Sequence, residues 1–429
     1  MSALYKTLTL VLLGSLLIGG CGTAEPTATP VPTTATRIAL EPTHTPRPPT
    51  AIPAPPTATK PEPGITPTRA APQPTDIPEP TPTAVDYTPV EMPGWVVSTP
   101  ADQGLDPKLV ADLYRHAANL PSLYGLLLVK NSHLIAEGYF NGGSLQQKAV
   151  LASVTKSYTS ALVGIALDQG CLSSVGQKMI EFFPEFADEI SDPRKEQITI
   201  GDMLKMRSGY PWEESTPPYL DMLFSNDDWL GNIVEFSLTS DPGTKFGYSN
   251  LTAHLLAVIV ARACNTSLLS YAQQYLFSPM NVRVGAWPRD ANGYHYGHGD
   301  ISFTARDVAK FGLLYLNHGE YAGKQVVPAD WIRDSLQTYS ENLYNNRLGY
   351  YFRDIGYGYL WWSARAGDHR FNYAWGHGGN LIILLDDLDM VIVTTANPLH
   401  GVWGEEAWEK EGAIIDLVGW FIQSIPKER

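Results

Sequence analysis

The chain has 429 residues, a formal net charge of −14 and 34 prolines, spread too unevenly for one uniformly built globular protein. Between Gly22 and Trp95 stand 20 Pro, 17 Thr and 10 Ala with almost no residue able to form a core, so this stretch reads as a linker and not as a domain. About 334 residues remain, carrying nearly all of the 11 Trp, 22 Tyr and 13 Phe and a charge of −12, with no basic patch that would serve a nucleic-acid binder.

At the N-terminus, Lys6 precedes an apolar run from Leu8 to Ile18, too short for a permanent membrane span and of the length of a signal peptide. The run ends in Ile18-Gly19-Gly20-Cys21, which resembles the lipobox of bacterial lipoproteins; residues 1–20 are then a signal peptide and Cys21 the lipidation site. The Thr-Pro and Pro-Thr-Ala units that follow favour extended polyproline geometry, at about 3.1 Å per residue. Residues 21–95 are therefore expected to tether domain 96–429, outside the cytoplasm, to a bacterial membrane through that lipid.

In the domain, Asp106-Pro107 predicts a helix to about Asn119 with Leu109, Leu113 and Ala117 on its inner face. Tyr124–Lys130, a turn at Asn131-Ser132 and His133–Phe140 predict a β-hairpin. A second hairpin is expected from Asn380–Leu385 and Met390–Thr395, and a closing helix from Glu405 to Gln423. Almost everything between about 150 and 340 reads as helix and loop. The expected fold is α/β of the α+β kind: an antiparallel sheet built from both ends of the domain, flanked by helices, with a mainly helical lobe inserted and a site in the cleft between.

Three short motifs carry chemistry. Ser153-Val154-Thr155-Lys156 opens a helix running to Gly170, and its i, i+3 spacing sets a hydroxyl and an amine one turn apart. A lysine there can act as a base only if burial or nearby positive charge lowers its pKa. The pattern alone is weak, since Ser424-Ile425-Pro426-Lys427 also matches it. Tyr248-Ser249-Asn250 follows a Pro-Gly turn and opens a second helix, from Leu251 to Ala263; Tyr139, Tyr315 and Tyr344 begin the same Tyr-x-Asn pattern without that context. A phenol at Tyr248 can relay a proton. Gly376-His377-Gly378-Gly379 directly precedes the strand at Asn380, and glycines there let a substrate backbone approach while an N–H just past them completes an oxyanion hole with that of Ser153.

In this order the three motifs resemble the serine hydrolases of the β-lactamase and penicillin-recognising superfamily, in the class C β-lactamase-related branch that includes esterases and 6-aminohexanoate-dimer hydrolases. Leu204–Trp212, Phe303–Tyr315 and Tyr357–Trp362 also look like family sequence. The resemblance implies that Ser153 is the acylated nucleophile, Lys156 its activating partner and Tyr248 the proton relay. It further implies that Asn250 contacts substrate or orders Lys156, that Asn380 gives the second oxyanion N–H, and that His377, Gly378 and Gly379 bind substrate. His377 stands where β-lactamases have Lys; as a mostly neutral group at pH 7 it should anchor a carboxylate less firmly, which favours small esters or short amides. A D,D-peptidase or β-lactamase is the rival enzyme, and a penicillin-binding-like sensor without turnover the rival from another class. No cofactor, metal or nucleic-acid partner is implied, and oligomeric state has no signal.

His295, His298 and Asp300 invite a metal, but the Gly-rich run suits a loop at the cleft mouth better. Trp361 and Trp362 fit core or inter-lobe packing better than an acyl pocket. The helices that start near Ser153 and Asn250 each end at a cysteine. Cys171 and Cys264 can pair if those helices run side by side; two buried thiols are the alternative.

Overall fold

The structure is a computed structural model that describes residues 85–225, 228–398 and 404–427. The expected signal peptide, Cys21 and the Pro/Thr stretch up to Ala84 lie outside the described residues.

Asp106 opens the first helix, α1 (Pro107–Ala117), by accepting a hydrogen bond from the Lys108 amide, and Pro107 gives up no amide there that the helix needs. Leu113 and Ala117 face inward as expected, joined by Val110 and Tyr114, while Leu109 is only partly buried at the edge of the stripe. The Tyr114 hydroxyl donates to the carbonyl of Leu126 at 2.9 Å.

Strands β1 (Leu123–Lys130) and β2 (His133–Tyr139) form the predicted hairpin. Asn131 and Ser132 between them both have positive φ, the left-handed turn that matches strand twist. Later come β3 (Arg347–Leu348), β4 (Phe352–Tyr357), β5 (Trp362–Ala366), β6 (His369–Gly376), β7 (Asn380–Leu385) and β8 (Met390–Ala396). One antiparallel sheet joins all eight in the order β2-β1-β8-β7-β6-β5-β4-β3, so both ends of the domain meet at the β1–β8 pair. The sequence reading foresaw four of these strands and missed β3 to β6.

The inserted segment supplies α2 (Thr155–Asp168), α3 (Asn250–Ala263) and α4 (Ala305–Leu316), and the closing helix α5 spans Glu405–Ser424. A two-stranded pair, Lys148–Val150 with Ser302–Thr304, is its main departure from helix and loop. α2 and α3 are buried around almost their whole circumference, as helices inside a large core must be. They pack side by side, while α4 covers one face of the sheet against β8, β7 and β1.

Residues 85–95, placed in the linker by composition, already belong to the domain. Tyr87 packs its ring 4.9 Å from that of Tyr114, and its carbonyl accepts the Glu137 amide at 2.9 Å. Arg306 and Glu137 form a buried ion pair, and both also bind the backbone of Val90. The composition of this stretch hid the two features that dock it, one aromatic ring and backbone bonds.

Cys171 and Cys264 are joined by a disulfide with their Cα atoms 5.0 Å apart, tying the far ends of α2 and α3. The bridge spans 93 residues of sequence, so loop-closure entropy alone corresponds to about 4.6 kcal/mol. Cys264→Ser, or reduction of the native protein, is expected to lower the melting temperature by several degrees while leaving turnover at 25 °C within about twofold. Calorimetry with and without reductant checks this, and an unchanged melting temperature on confirmed reduction would contradict it.

Candidate active site

Ser153 sits in a 3-10 turn, Ala152–Val154, that feeds α2, and not in the α-helix itself. Ala152 before it has a φ of 46°, a conformation that costs a residue with a Cβ about 1–2 kcal/mol. Its carbonyl is held there by the Thr155 hydroxyl at 2.7 Å and the Asp300 amide. The turn aims Ser153 toward Lys156, whose Nζ donates to Ser153 Oγ at 3.0 Å.

Lys156 is buried to 1% exposure, and its amine has three acceptors: Ser153 Oγ, Asn250 Oδ1 at 2.7 Å and the His298 carbonyl at 2.8 Å. Burial lowers its pKa to about 8, against the opposing pull of Glu214, Glu213 and Asp300. The amine also lies 4.7 Å from the centre of the Tyr248 ring. Burial drives the Tyr248 phenol well above its ordinary value, with a hydrogen bond to Ser153 acting the other way, so the phenol keeps its proton at neutral pH.

Thus Ser153, Lys156, Tyr248 and Asn250 are brought together. A residue absent from the sequence reading arranges two of them. Glu213 is fully buried and accepts from the Ser249 hydroxyl at 2.7 Å and the amides of Asn250 and Leu251 at 2.9 and 3.2 Å. It caps α3 from outside the helix, with its own pKa raised by burial to about 7. Its neighbour Glu214 takes a hydrogen bond from Asn250 Nδ2 at 3.2 Å. The Glu-Glu pair carried no motif, and its contacts lie 36 to 38 residues along the chain.

On the opposite side, His377, Gly378 and Gly379 form the tight turn from β6 to β7, with φ of 87° and 92° at the two glycines. Just before it, Gly376 comes up against the Ser153 turn. A Cβ on Gly376 would stand 2.1 Å from the Leu151 carbonyl and 3.1 Å from the Val154 amide, so only glycine allows this approach.

Asn380 corrects the sequence reading. It opens β7, which lies between β6 and β8, and it pairs with Gly376 across the turn. Its buried side chain donates to the His377 carbonyl and accepts from the Ala396 amide, both at 2.9 Å. Asn380 therefore pins the turn from inside the sheet, while the backbone that meets Ser153 is the end of β6.

His377 also differs from expectation. Glu411 on α5 lies 2.8 Å from its Nδ1 and raises its pKa above the ordinary 6.5, with a smaller contribution from Glu214. The expected mostly neutral imidazole is thus biased toward imidazolium.

An aromatic wall surrounds these groups. Trp362 stacks on Tyr248 with ring centres 5.4 Å apart, while Tyr344 meets Trp212, Trp362 and Trp375 at 5.5, 5.7 and 5.8 Å. Tyr344 is held in the left-handed region, φ 51° and ψ 39°, a placement that local sequence does not announce. Trp361 lies in the core, 4.5 Å from Tyr315, as the sequence reading preferred, whereas Trp362 belongs to the wall beside Tyr248. The alternative Ser424-x-x-Lys427 pair ends α5, where Ser424 bonds the Trp420 carbonyl and Lys427 reaches Asp368.

The side chains of the His295–Asp300 run go to separate partners. Among the described residues no three His, Cys, Asp or Glu side chains converge as metal ligands do. His295 bonds the Trp287 carbonyl and Arg289, the His298 ring stacks on Trp229 at 4.2 Å, and the loop meets the site through the His298 carbonyl on Lys156 and the Asp300 amide on the Ala152 carbonyl.

A helical lobe inserted into an antiparallel sheet, with a serine hydroxyl and a buried lysine at their junction, defines the serine hydrolases of β-lactamase fold. The chain belongs to the Beta-lactamase family, which it matches over residues 144–414. It is similar to the 6-aminohexanoate-dimer hydrolase of Paenarthrobacter ureafaciens, 26% identical over 272 residues, covering 59% of this chain and 68% of that one. Among solved structures it resembles a hydrolase with promiscuous acyltransferase activity, with TM-score 0.57 and 15% identity over 72% of this chain and 97% of the other. A penicillin-binding protein from Bacillus halodurans gives TM-score 0.53 and 17% identity over 71% and 99%. The protein is a hydrolase of this family.

If the neutral amine of Lys156 is the base, the active form appears as pH rises through its pKa. The value of kcat/KM for a neutral ester should therefore climb with a midpoint of about 8 and fall away below it. A pH profile from 5.5 to 10 checks this; a limb centred below 6 would assign the base elsewhere.

Proposed function

We propose that the protein cleaves an ester or amide bond of a small substrate through an acyl-enzyme on Ser153. The observation that carries this reading is the 3.0 Å contact between Ser153 Oγ and the Nζ of a lysine whose pKa burial has lowered to about 8. Ser153 gives its proton toward Lys156 as its oxygen attacks the carbonyl carbon. Tyr248, uncharged and beside both, passes its proton to the leaving group and is refilled by the proton that Lys156 took from Ser153. Asn250 orients the lysine. The oxyanion is received by the backbone N–H of Ser153 and by an amide at the end of β6, around Gly376 and His377, and water then releases the acyl group.

Ser153→Ala is expected to reduce hydrolysis of p-nitrophenyl acetate or butyrate at least about 10³-fold with the fold intact. Retained turnover would remove Ser153 from this role. A second reading, a D,D-peptidase or β-lactamase, draws support from the Glu411 contact, which favours the protonated form of His377 that would meet such substrates. Turnover of nitrocefin or covalent labelling by a fluorescent penicillin would favour it, and labelling without turnover would favour a sensor.

We also propose export and lipid anchoring at Cys21, supported by the lipobox-like sequence and by a disulfide that suits an oxidising compartment. Metabolic labelling with a fatty-acid analogue should mark the wild-type chain and miss Cys21→Ala, which should leave the membrane fraction; equal labelling of both would refute the anchor.

A further inference from the structure

Of the three acceptors around Lys156, the His298 carbonyl is the one that no motif supplies, and what holds it in place lies behind the site. A buried pair that the chemistry above does not use stands there. His254, one turn after Asn250 on α3, sets its Nε2 2.8 Å from Asp290 Oδ2, and both side chains are shut off from solvent. Asp290 Oδ1 accepts the Tyr294 amide at 2.8 Å, so both carboxyl oxygens are committed.

The other edge of the imidazole fixes its hydrogen. The Gly297 amide donates to His254 Nδ1 at 3.4 Å, so Nδ1 is an acceptor and the ring hydrogen sits on Nε2, directed at Asp290. The Gly297 carbonyl takes the Thr159 hydroxyl of α2 at 2.8 Å. One residue is thus gripped by both helices, its N–H from α3 and its C=O from α2. A Cβ there would stand 2.4 Å from the Ala257 Cβ and 2.5 Å from the Ala253 carbonyl oxygen, an approach to α3 open to glycine alone. His298 follows directly. Its ring stacks on Trp229, which also meets His254 at 5.0 Å, and its carbonyl receives Lys156 Nζ at 2.8 Å.

That carbonyl bears on the reaction. A neutral amine has two hydrogens and one lone pair. With Asn250 Oδ1 and the His298 carbonyl taking the hydrogens, the lone pair is left toward the Ser153 hydroxyl, as a base requires. We propose that the His254–Asp290 pair is a positioning device for this step: Asp290 holds the imidazole in the tautomer whose Nδ1 accepts, that nitrogen holds the Gly297 amide, and the chain so held presents the His298 carbonyl to Lys156. The proposal rests on the reading of Lys156 as the base for Ser153. Glu213, Glu214 and Asp300 act on the same amine and are retained in every variant below.

The test follows the pre-steady-state acylation of Ser153 by p-nitrophenyl butyrate from pH 5.5 to 10 in two variants of His254. In His254→Asn the side-chain oxygen stands near the place of Nδ1 and keeps an acceptor for Gly297. In His254→Gln the amide nitrogen stands near the place of Nε2 and keeps only the donor to Asp290. The plateau rate is expected to fall at least about tenfold in His254→Gln and to stay within about threefold of wild type in His254→Asn. The midpoint near 8 should move by at least about 0.5 pH unit in His254→Gln alone, because the amine has lost an acceptor. Asp290→Asn should behave like His254→Gln: the Tyr294 amide claims its oxygen, so its NH₂ faces the ring and drives the hydrogen onto Nδ1, against the Gly297 amide.

Equal rates in the two His254 variants, or a wild-type midpoint in His254→Gln, would reduce the pair to a packing contact and overturn the proposal. If the His254 variants do not fold, Asp290→Asn decides: slower acylation with a displaced midpoint supports the proposal, and a wild-type profile overturns it. A wild-type protein whose Ser153 is never acylated would instead overturn the hydrolytic reading beneath it.

Discussion

A primary amine buried to 1% exposure is the constraint around which this molecule is organised. Lys156 has three donors and no access to water, and an unpaired buried charge of this kind costs about 3–5 kcal/mol. Its acceptors come from three separate places: the turn before α2, the first residue of α3 and the loop at His298. Docking α2 against α3 and folding that loop over them is therefore the same event as assembling the site. Burial also lowers the amine's pKa toward neutrality, so the environment that makes the lysine costly is the one that makes it useful as a base.

Two other buried carboxylates each organise one half of the cleft. Glu213 gathers the hydroxyl and amides that begin α3, fixing Tyr248 and Asn250 beside the lysine. Glu411 gathers the indole, amide and imidazole at the end of β6, fixing the strand that meets Ser153. The family relationship accounts for the hydrolase class, and these two anions hold in place the groups that line its cleft. The disulfide closes the lobe at the far ends of the same two helices.

What could be read beforehand follows from how local each signal is. The two hairpins announce themselves by apolar runs around short polar turns, and Asp106-Pro107 is a helix start that needs no tertiary partner. Strands β4 to β6 lack the uninterrupted apolar runs by which the two hairpins were recognised: Arg365 and Arg370 are the outward members of an alternating pattern. One side of that part of the sheet is only partly buried. Only Ser153 and Lys156 stand at short spacing, with Tyr248 far along the chain; all three were found because three short motifs in this order resemble the family. Glu213, Glu411 and Tyr344 were not, since each acts on groups far along the chain and their sequence neighbourhoods are ordinary. Asn380 misled for a related reason: position beside a motif suggested an exposed amide, whereas the sheet order places the residue between two strands.

The central proposal is that Ser153 is acylated with Lys156 as its base. Rapid mixing with p-nitrophenyl butyrate, acid quenching and peptide mass mapping reads both parts at once. A butyryl group should appear on the peptide containing Ser153, with an acylation rate that rises through pH of about 8 and falls at least about 10²-fold in Lys156→Ala. A butyryl group on any other residue, or acylation of Ser153 at an undiminished rate without Lys156, would contradict it.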